Sequence, residues 1–167
     1  MAAVTVLTCR CRQVECHGDG APILTACCYC DDCQAAAQQI AALGEGPLVA
    51  DPDGGTALCL IRNDRFAHIR GAELLVAHKL RPESPVSRMV ASCCNSAMYL
   101  QFADGRFWVS AMRNRINGTQ PAIGSRLATK FRDPSQPWPD DAARYKGIPA
   151  RLILLMLGEW FKMKLSR

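Results

Sequence analysis

The chain has 167 residues, 49% of them hydrophobic and 21% charged, which suits one domain with a core that does not depend on disulfides. Its formal charge of +5 is mild, and its 20 basic residues are scattered without a block of five or six, so no nucleic-acid footprint is present and no nucleic-acid partner is expected. The longest late apolar run, Leu152 to Leu157, is broken by Gly158-Glu159 and falls well short of the roughly 20 residues a spanning helix needs, so no membrane segment is expected either.

The start, Met1 to Cys9, is apolar but lacks the basic opening and full apolar run of a secretory signal, and it reads as the beginning of a first strand. A soluble, cytoplasmic protein is therefore expected. In that reducing compartment the ten cysteines are metal ligands, reactive thiols or small buried apolar side chains rather than disulfides. Asn117-Gly118-Thr119 has the form of a glycosylation sequon but is read as a turn.

Residues 4 to 16 alternate as a strand does, and Gly18-Asp19-Gly20 then turns the chain. A second strand, Ile23 to Cys28, leads into the cysteine run. Gln34 to Leu43 is built of good helix formers and closed by Gly44, which predicts a short helix. Further strands are expected at Ala57 to Arg62, Phe66 to Arg70, Glu73 to Leu80, Val86 to Ser92 and Ala97 to Phe102, the last ending at Asp104-Gly105. The core thus spans about 4–112. Residues 113–148, with Pro121, Pro134, Pro137 and Pro139, read as an irregular excursion, and residues 149–165 as a terminal helix with Pro149 at its start and Lys162 and Lys164 in its last turn. The fold class is mainly β with two helices, in a single domain of 1–167.

Chemistry is concentrated in the cysteines. In Cys9-Arg10-Cys11 and in Cys28-Tyr29-Cys30 the ligands are two apart, so on an extended strand both sulfurs of a pair leave the same face. Cys33, three residues on, brings a third thiolate to Cys28 and Cys30, a compact set that leaves tetrahedral zinc one ligand short. Cys93 and Cys94 are adjacent, point to opposite faces of a strand and can share an ion only at a bend or bulge, so without one the pair reads as one ligand and one core residue. Cys16, Cys27 and Cys59 lie in apolar strand contexts and are read as core.

Other residues carry weaker signals. His17, His68 and His78 have no ligand spacing to the cysteines and are read as solvated or hydrogen-bonded, although folding could bring His78 toward a site. Asp31 and Asp32 are read as helix-start residues, and Trp108 and Trp138 as packing residues. The Met and Leu stripe of the terminal helix is read as core or as a contact between copies of the chain, a homo-oligomer.

Taken in order, the three cysteine groups resemble those of the glutathione-dependent formaldehyde-activating enzyme family, which shares its domain with centromere protein V. That family has a Cys-x-Cys on its first strand, a Cys-x-Cys-x-x-Cys ahead of a short helix, and a Cys-x-x-Cys-Gly on a later strand. Here the matches are Cys9-Arg10-Cys11, Cys28-Tyr29-Cys30-Asp31-Asp32-Cys33 and, in part, Ser92-Cys93-Cys94-Asn95, over about residues 5–105. The resemblance implies a Mss4-like β-tent with a structural zinc at Cys9, Cys11 and Cys94, for which Cys93 is the candidate fourth ligand, and an open zinc site at Cys28, Cys30 and Cys33. Three positions depart from the pattern: Ala91 stands where the third motif's first cysteine is expected, Asn95 replaces its glycine, and Tyr29 replaces the usual histidine. One ion, two, or a site completed by Cys93 all remain open.

By this resemblance the function is that of a zinc-dependent carbon–sulfur lyase, with Cys28, Cys30 and Cys33 as its catalytic centre, binding a small thiol such as glutathione for addition to an aldehyde. The alternative is a noncatalytic zinc-binding module, stapled by metal and using its late segment and terminal helix for protein partners.

Overall fold

A computed structural model describes residues 4–165. Met1 to Ala3, expected to join the first strand, lie outside the described residues. Two sheets and two helices make up the architecture. The first sheet has three strands, in the order β1 (Val4–Thr8), β2 (Glu15–Asp19) and β5 (Phe66–Arg70), all antiparallel. The second has eight: β3 (Leu24–Cys28), β4 (Thr56–Arg62), β6 (Leu75–His78), β7 (Val86–Ala91), β8 (Ser96–Phe102), β9 (Trp108–Met112), β10 (Ser125–Leu127) and β11 (Ala143–Arg144). Their order across the sheet is β11-β10-β3-β4-β9-β8-β7-β6.

The large sheet is covered on both faces, and its sequence shows why. In β4, Cys59 and Ile61 face a cluster with Leu7 and Cys16 from the small sheet and Val14 just before β2, whereas Leu58 and Leu60 face Ile40 of helix α1 (Asp31–Ala41). A strand buried on both sides has no polar face, which accounts for the near-continuous run Thr56-Ala57-Leu58-Cys59-Leu60-Ile61. The α1 helix covers its side with Cys33, Ala36 and Ile40, spaced three and four apart on one stripe. Helix α2 (Ala150–Leu165) buries Leu152 and Met163, while Leu154, Leu157, Phe161 and Leu165 are exposed.

Several boundaries differ from expectation. The alternation over residues 4 to 16 is interrupted at Cys9, where the amide of Cys9 bonds the carbonyl of Val14 and that of Arg12 bonds the carbonyl of Cys9, so the segment is a hairpin rather than one strand. Gly18 and Asp19 belong to β2, paired with Thr5 and Val4. The α1 helix starts at Asp31, so Asp31 and Asp32 occupy its first turn and Cys30 takes the N-cap position. Strand β9 was not expected; it is fixed by pairing with β4 and β8 rather than by local pattern. In the proline-rich excursion, β10 pairs in parallel with β3, and the amide of Tyr29 extends that pairing to Leu127. The excursion therefore reaches the cysteine run. No helix among the described residues is long and apolar enough to cross a membrane.

Candidate metal centres

The first centre is built from two hairpin turns. Cys9 and Cys11 lie in the β1–β2 turn, and Cys93 and Cys94 in the turn joining β7 to β8. Each turn has a left-handed residue just after its second cysteine, Arg12 at φ 64° and Asn95 at φ 52°. Asn tolerates that conformation better than other side-chain-bearing residues, so Asn95 can take the backbone role of a glycine. Its side-chain amide also donates to the carbonyls of Ile40 and Gly44, each at 2.9 Å, tying the turn to the end of α1. The amide of Arg10 donates to Ser96 Oγ at 3.1 Å and joins the two turns directly.

Because the chain turns at residues 92–95 instead of running as a strand, Cys93 and Cys94 need not diverge. The sulfurs of Cys9, Cys11, Cys93 and Cys94 all lie within 4.8 Å of one another. Cys9 to Cys11 is 3.5 Å, Cys11 to Cys93 3.3 Å, Cys9 to Cys93 3.9 Å and Cys93 to Cys94 3.9 Å. A zinc ion with Zn–S bonds of about 2.3 Å needs tetrahedral sulfurs about 3.8 Å apart, so this donor set fits it. All four cysteines are free thiols. Burial pushes Cys9 and Cys93 up. Burial acts the same way on Cys94, but the Ser96 hydroxyl and the amide of Cys11 overcome it and bring that thiol down to about 6. Arg115 is close enough for the charges of Cys94 and Cys9 to act on it, against the burial that lowers its own pKa.

The second centre is local. Cys28 ends β3, Cys30 caps α1 with extended backbone, and Cys33 lies in the first turn of the helix; their sulfurs fall within 4.8 Å of one another. Among the described residues no fourth Cys, His, Asp or Glu joins this group. Without metal its charge is polarised. The Cys28 and Cys33 thiols, and then the amides of Cys33 and Asp32, bring Cys30 down to about 2, whereas the bond to Cys30 helps raise Cys28 to about 11. Cys33 is raised by both neighbours and by burial. Those bonds favour the thiolate form at Cys30 over its two neighbours, and the N-terminal end of α1 acts in the same direction.

Most of the residues that anchor this loop, Asp53, Arg126 and Asp141 among them, carry no local signal in the sequence. Tyr29, between the ligands, is fully buried and points away from them: its hydroxyl donates to Asp53 Oδ2 at 2.6 Å and meets Arg126. Arg126 also donates to Asp53 at 2.6 Å and to both carboxylate oxygens of Asp141 at 2.7 and 2.8 Å. Gln34 Nε2 bonds the carbonyls of Tyr29 and Phe131, and Trp138 packs edge-on to the Tyr29 ring. A Cβ at Gly55 would run into Cys27 Sγ and the Tyr29 ring, so that position needs glycine. Of this network the sequence marks Trp138, read as a packing residue and found against Tyr29, and Tyr29 itself, which stands where the resemblance expects a histidine.

Cys16, Cys27 and Cys59 are fully buried, and burial pushes Cys16 and Cys27 up to about 12. Cys27 lies near Asp51 and Asp53, but Asp53 is already bonded to Tyr29, Arg126 and the Gly55 amide, so the group reads as core and ion pair. The histidines are all hydrogen-bonded, His17 to Glu15, His68 to the Tyr99 hydroxyl and His78 to Gln39, and none joins a cysteine centre.

Residues 1–109, which contain all ten cysteines, match the model of a family described as "Family of unknown function (DUF6151)", and the chain belongs to that family. No curated protein matches. Among solved structures, a Rhodobacter sphaeroides protein, a Northeast Structural Genomics target, is similar at 16% identity and a TM-score of 0.47, over 70% of this chain and 91% of that one.

Proposed function

We propose that this member of the family is a zinc protein with one closed and one open centre, the open one binding a small thiol such as glutathione for addition to an aldehyde. One observation carries the reading: the same chain gathers four sulfurs at its hairpin turns and only three at the β3–α1 junction. Four thiolates complete a tetrahedron and suit structural zinc; three leave a position for a ligand from solution. Zinc held by Cys28, Cys30 and Cys33 would lower the pKa of a thiol in that position, so that a nucleophilic sulfur exists at neutral pH.

The chain's own part is positional. Cys30 sits at the helix end, where its thiolate form is favoured, and the Tyr29–Asp53–Arg126 network ties down the loop between the ligands. In the addition, a bond forms between the thiol sulfur and the aldehyde carbon, the carbonyl π pair moves to oxygen, and the thiol proton ends on that oxygen. The reverse breaks the same carbon–sulfur bond, which is lyase chemistry. A Mss4-like β-tent and a cytoplasmic location belong to the same proposal; the two hairpins that meet at one cysteine cluster and the ten free cysteines support them.

Cobalt substitution tests it. The thiolate-to-metal absorption of the cobalt protein is expected to shift when glutathione is added, and Cys30→Ser is expected to abolish the shift. A cobalt spectrum of four sulfurs at both centres, unchanged by any thiol, would remove the enzyme reading. That outcome favours a second one, a noncatalytic zinc-stapled module with a protein-partner role, for which the exposed Leu154, Leu157, Phe161 and Leu165 of α2 speak.

A further inference from the structure

Arg88 is the anomaly of the large sheet. On β7 it is in phase with Val86 and Val90, so its side chain turns inward and is only 6% exposed. The other arginines buried as deeply have evident partners. Arg62 pairs with Asp64 and Arg126 pairs with Asp53 and Asp141; Arg132, whose Nε is buried without a partner, still donates to three backbone carbonyls and stacks on Trp138. Arg88 Nη2 donates to a carbonyl, that of Asp32 at 3.0 Å, while its Nη1 is buried without a partner. No carboxylate forms an ion pair with it among the described residues.

A buried cation without a counter-charge is among the costliest things a core can hold, so the question is which negative charge it faces. Its bond to Asp32 places the guanidinium against the first turn of α1, one residue before Cys33. Arg88 and Cys33 also line the same cavity, together with Thr56, whose Oγ1 is buried and unpartnered like Nη1. That cavity holds about 10 Å³, room for a water-sized group but not for a carboxylate-bearing ligand.

We infer that Arg88 is the built-in counter-charge of the three-cysteine centre. The inference rests on reading Cys28, Cys30 and Cys33 as zinc ligands, not on the thiol addition. Three thiolates and one divalent zinc sum to a single negative charge, and one guanidinium neutralises it. Among the described residues Arg88 has no acidic partner of its own to balance instead. It acts through the ligands, as a positioning and charge-balancing residue.

The test is zinc affinity resolved by centre. Arg88→Gln is expected to weaken the zinc held by Cys28, Cys30 and Cys33 by about tenfold or more in competition with a chromophoric chelator, while the zinc at Cys9, Cys11, Cys93 and Cys94 is held as before; Arg88→Lys is expected to recover part of the loss. Retention of the second zinc by Arg88→Gln within threefold of the parent protein would overturn the inference, as would a parent protein that takes up only one zinc.

Should Arg88→Gln fail to fold, the unsubstituted protein decides. With arginine side chains labelled with nitrogen-15, one buried guanidinium is expected to shift when the zinc equivalent that fills the three-cysteine centre is added, and no shift overturns the inference. Failure of glutathione to change the cobalt spectrum would touch only the proposed thiol chemistry, whereas an unweakened Arg88→Gln or an unshifted guanidinium would touch only the counter-charge; a parent protein with a single zinc would remove both.

Discussion

The two cysteine centres use the same ligand atom in opposite ways. At the four-sulfur centre the ligands come in pairs from turns more than eighty residues apart, since Cys11 and Cys93 are separated by 82 positions. Those turns belong to different sheets, β1–β2 to the small one and β7–β8 to the large one, so a shared ion would hold the layers together. At the three-sulfur centre all ligands lie between Cys28 and Cys33, and the β3–α1 junction is also held by α1 packing through Ala36 and Ile40 and by the Tyr29 network. Ligands far apart in sequence cross-link a fold; ligands close together decorate one. On the proposed reading, the first centre serves stability and the second a ligand from solution.

The strongest way to break that contrast is to remove a ligand from the distant set. Cys94→Ser is expected to lose one zinc and lower the melting temperature by about 10 °C or more, since a structural zinc contributes several kcal/mol to folding and each kcal/mol is about 2–4 °C in a chain of this size. Cys16→Ala, at an equally buried thiol outside both centres, is expected to cost only a few degrees. Equal losses in thermal melts of the two variants would end the claim that the first centre staples the sheets.

Much of this plan could be read from sequence wherever local pattern decides. The bounds of β3, β4, β5, β7 and β8 follow the alternation to within one or two residues, and α2 starts one residue after Pro149. The three-cysteine centre was equally readable, because its convergence needs only the turn from β3 into α1. The turn at Cys9 to Arg12, strand β9 and the attachment of β10 to β3 were not, because long-range backbone pairing fixes them. Arg126 and Asp141 gave no signal in isolation. Arg88 did: an arginine in phase with inward-facing valines breaks the pattern of β7, and a strand that breaks its pattern marks a buried charge with a role.

Next in size is the network behind Tyr29. Asp53→Asn leaves Arg126 with Asp141 as its one carboxylate partner and removes a charged acceptor from the Tyr29 hydroxyl, so a loss of about 2 kcal/mol, roughly 4–8 °C, is expected at pH 7. The sign with pH follows from the direction of its shift. Burial raises the Asp53 carboxyl, but Tyr29, the Gly55 amide and Arg126 more than offset it, so the folded value lies below the unfolded one. That contribution is fully present above the unfolded value near pH 4 and is lost as pH falls through the folded value. The gap in melting temperature between parent and variant should therefore be flat from pH 8 to about 5; a gap that varies across that range would mean another group carries the effect.

Cys30→Ser should sharpen the contrast from the other side. A melting loss of about 2–5 °C is expected, smaller than for Cys94→Ser, because its ligands close no long loop. Loss of one zinc equivalent by elemental analysis should accompany it. A drop as large as that of Cys94→Ser would make the three-sulfur centre structural as well.

The last pair of variants, of which Asn95→Gly is expected to lose least, tests the link between the centres. Asn95 adopts a left-handed φ directly after Cys94 and holds the carbonyls of Ile40 and Gly44, so one residue shapes the turn of the first centre and anchors the helix whose opposite end carries Cys33. Asn95→Ala loses both hydrogen bonds and keeps a Cβ in the left-handed conformation without a compensating side chain, at a cost of about 1–2 kcal/mol. Asn95→Gly loses the same bonds but relieves the backbone, so its loss should be smaller, about 1 kcal/mol or less. Both variants should keep two zinc equivalents, because neither alters a ligand. If the centres are as independent as their ligand spacing implies, the cobalt response to glutathione should be unchanged in both. A response weakened in Asn95→Ala and restored in Asn95→Gly would show that strain at the closed centre travels along α1 to the open one, and the division between a stapling centre and a serving one would have to be replaced by a single coupled unit.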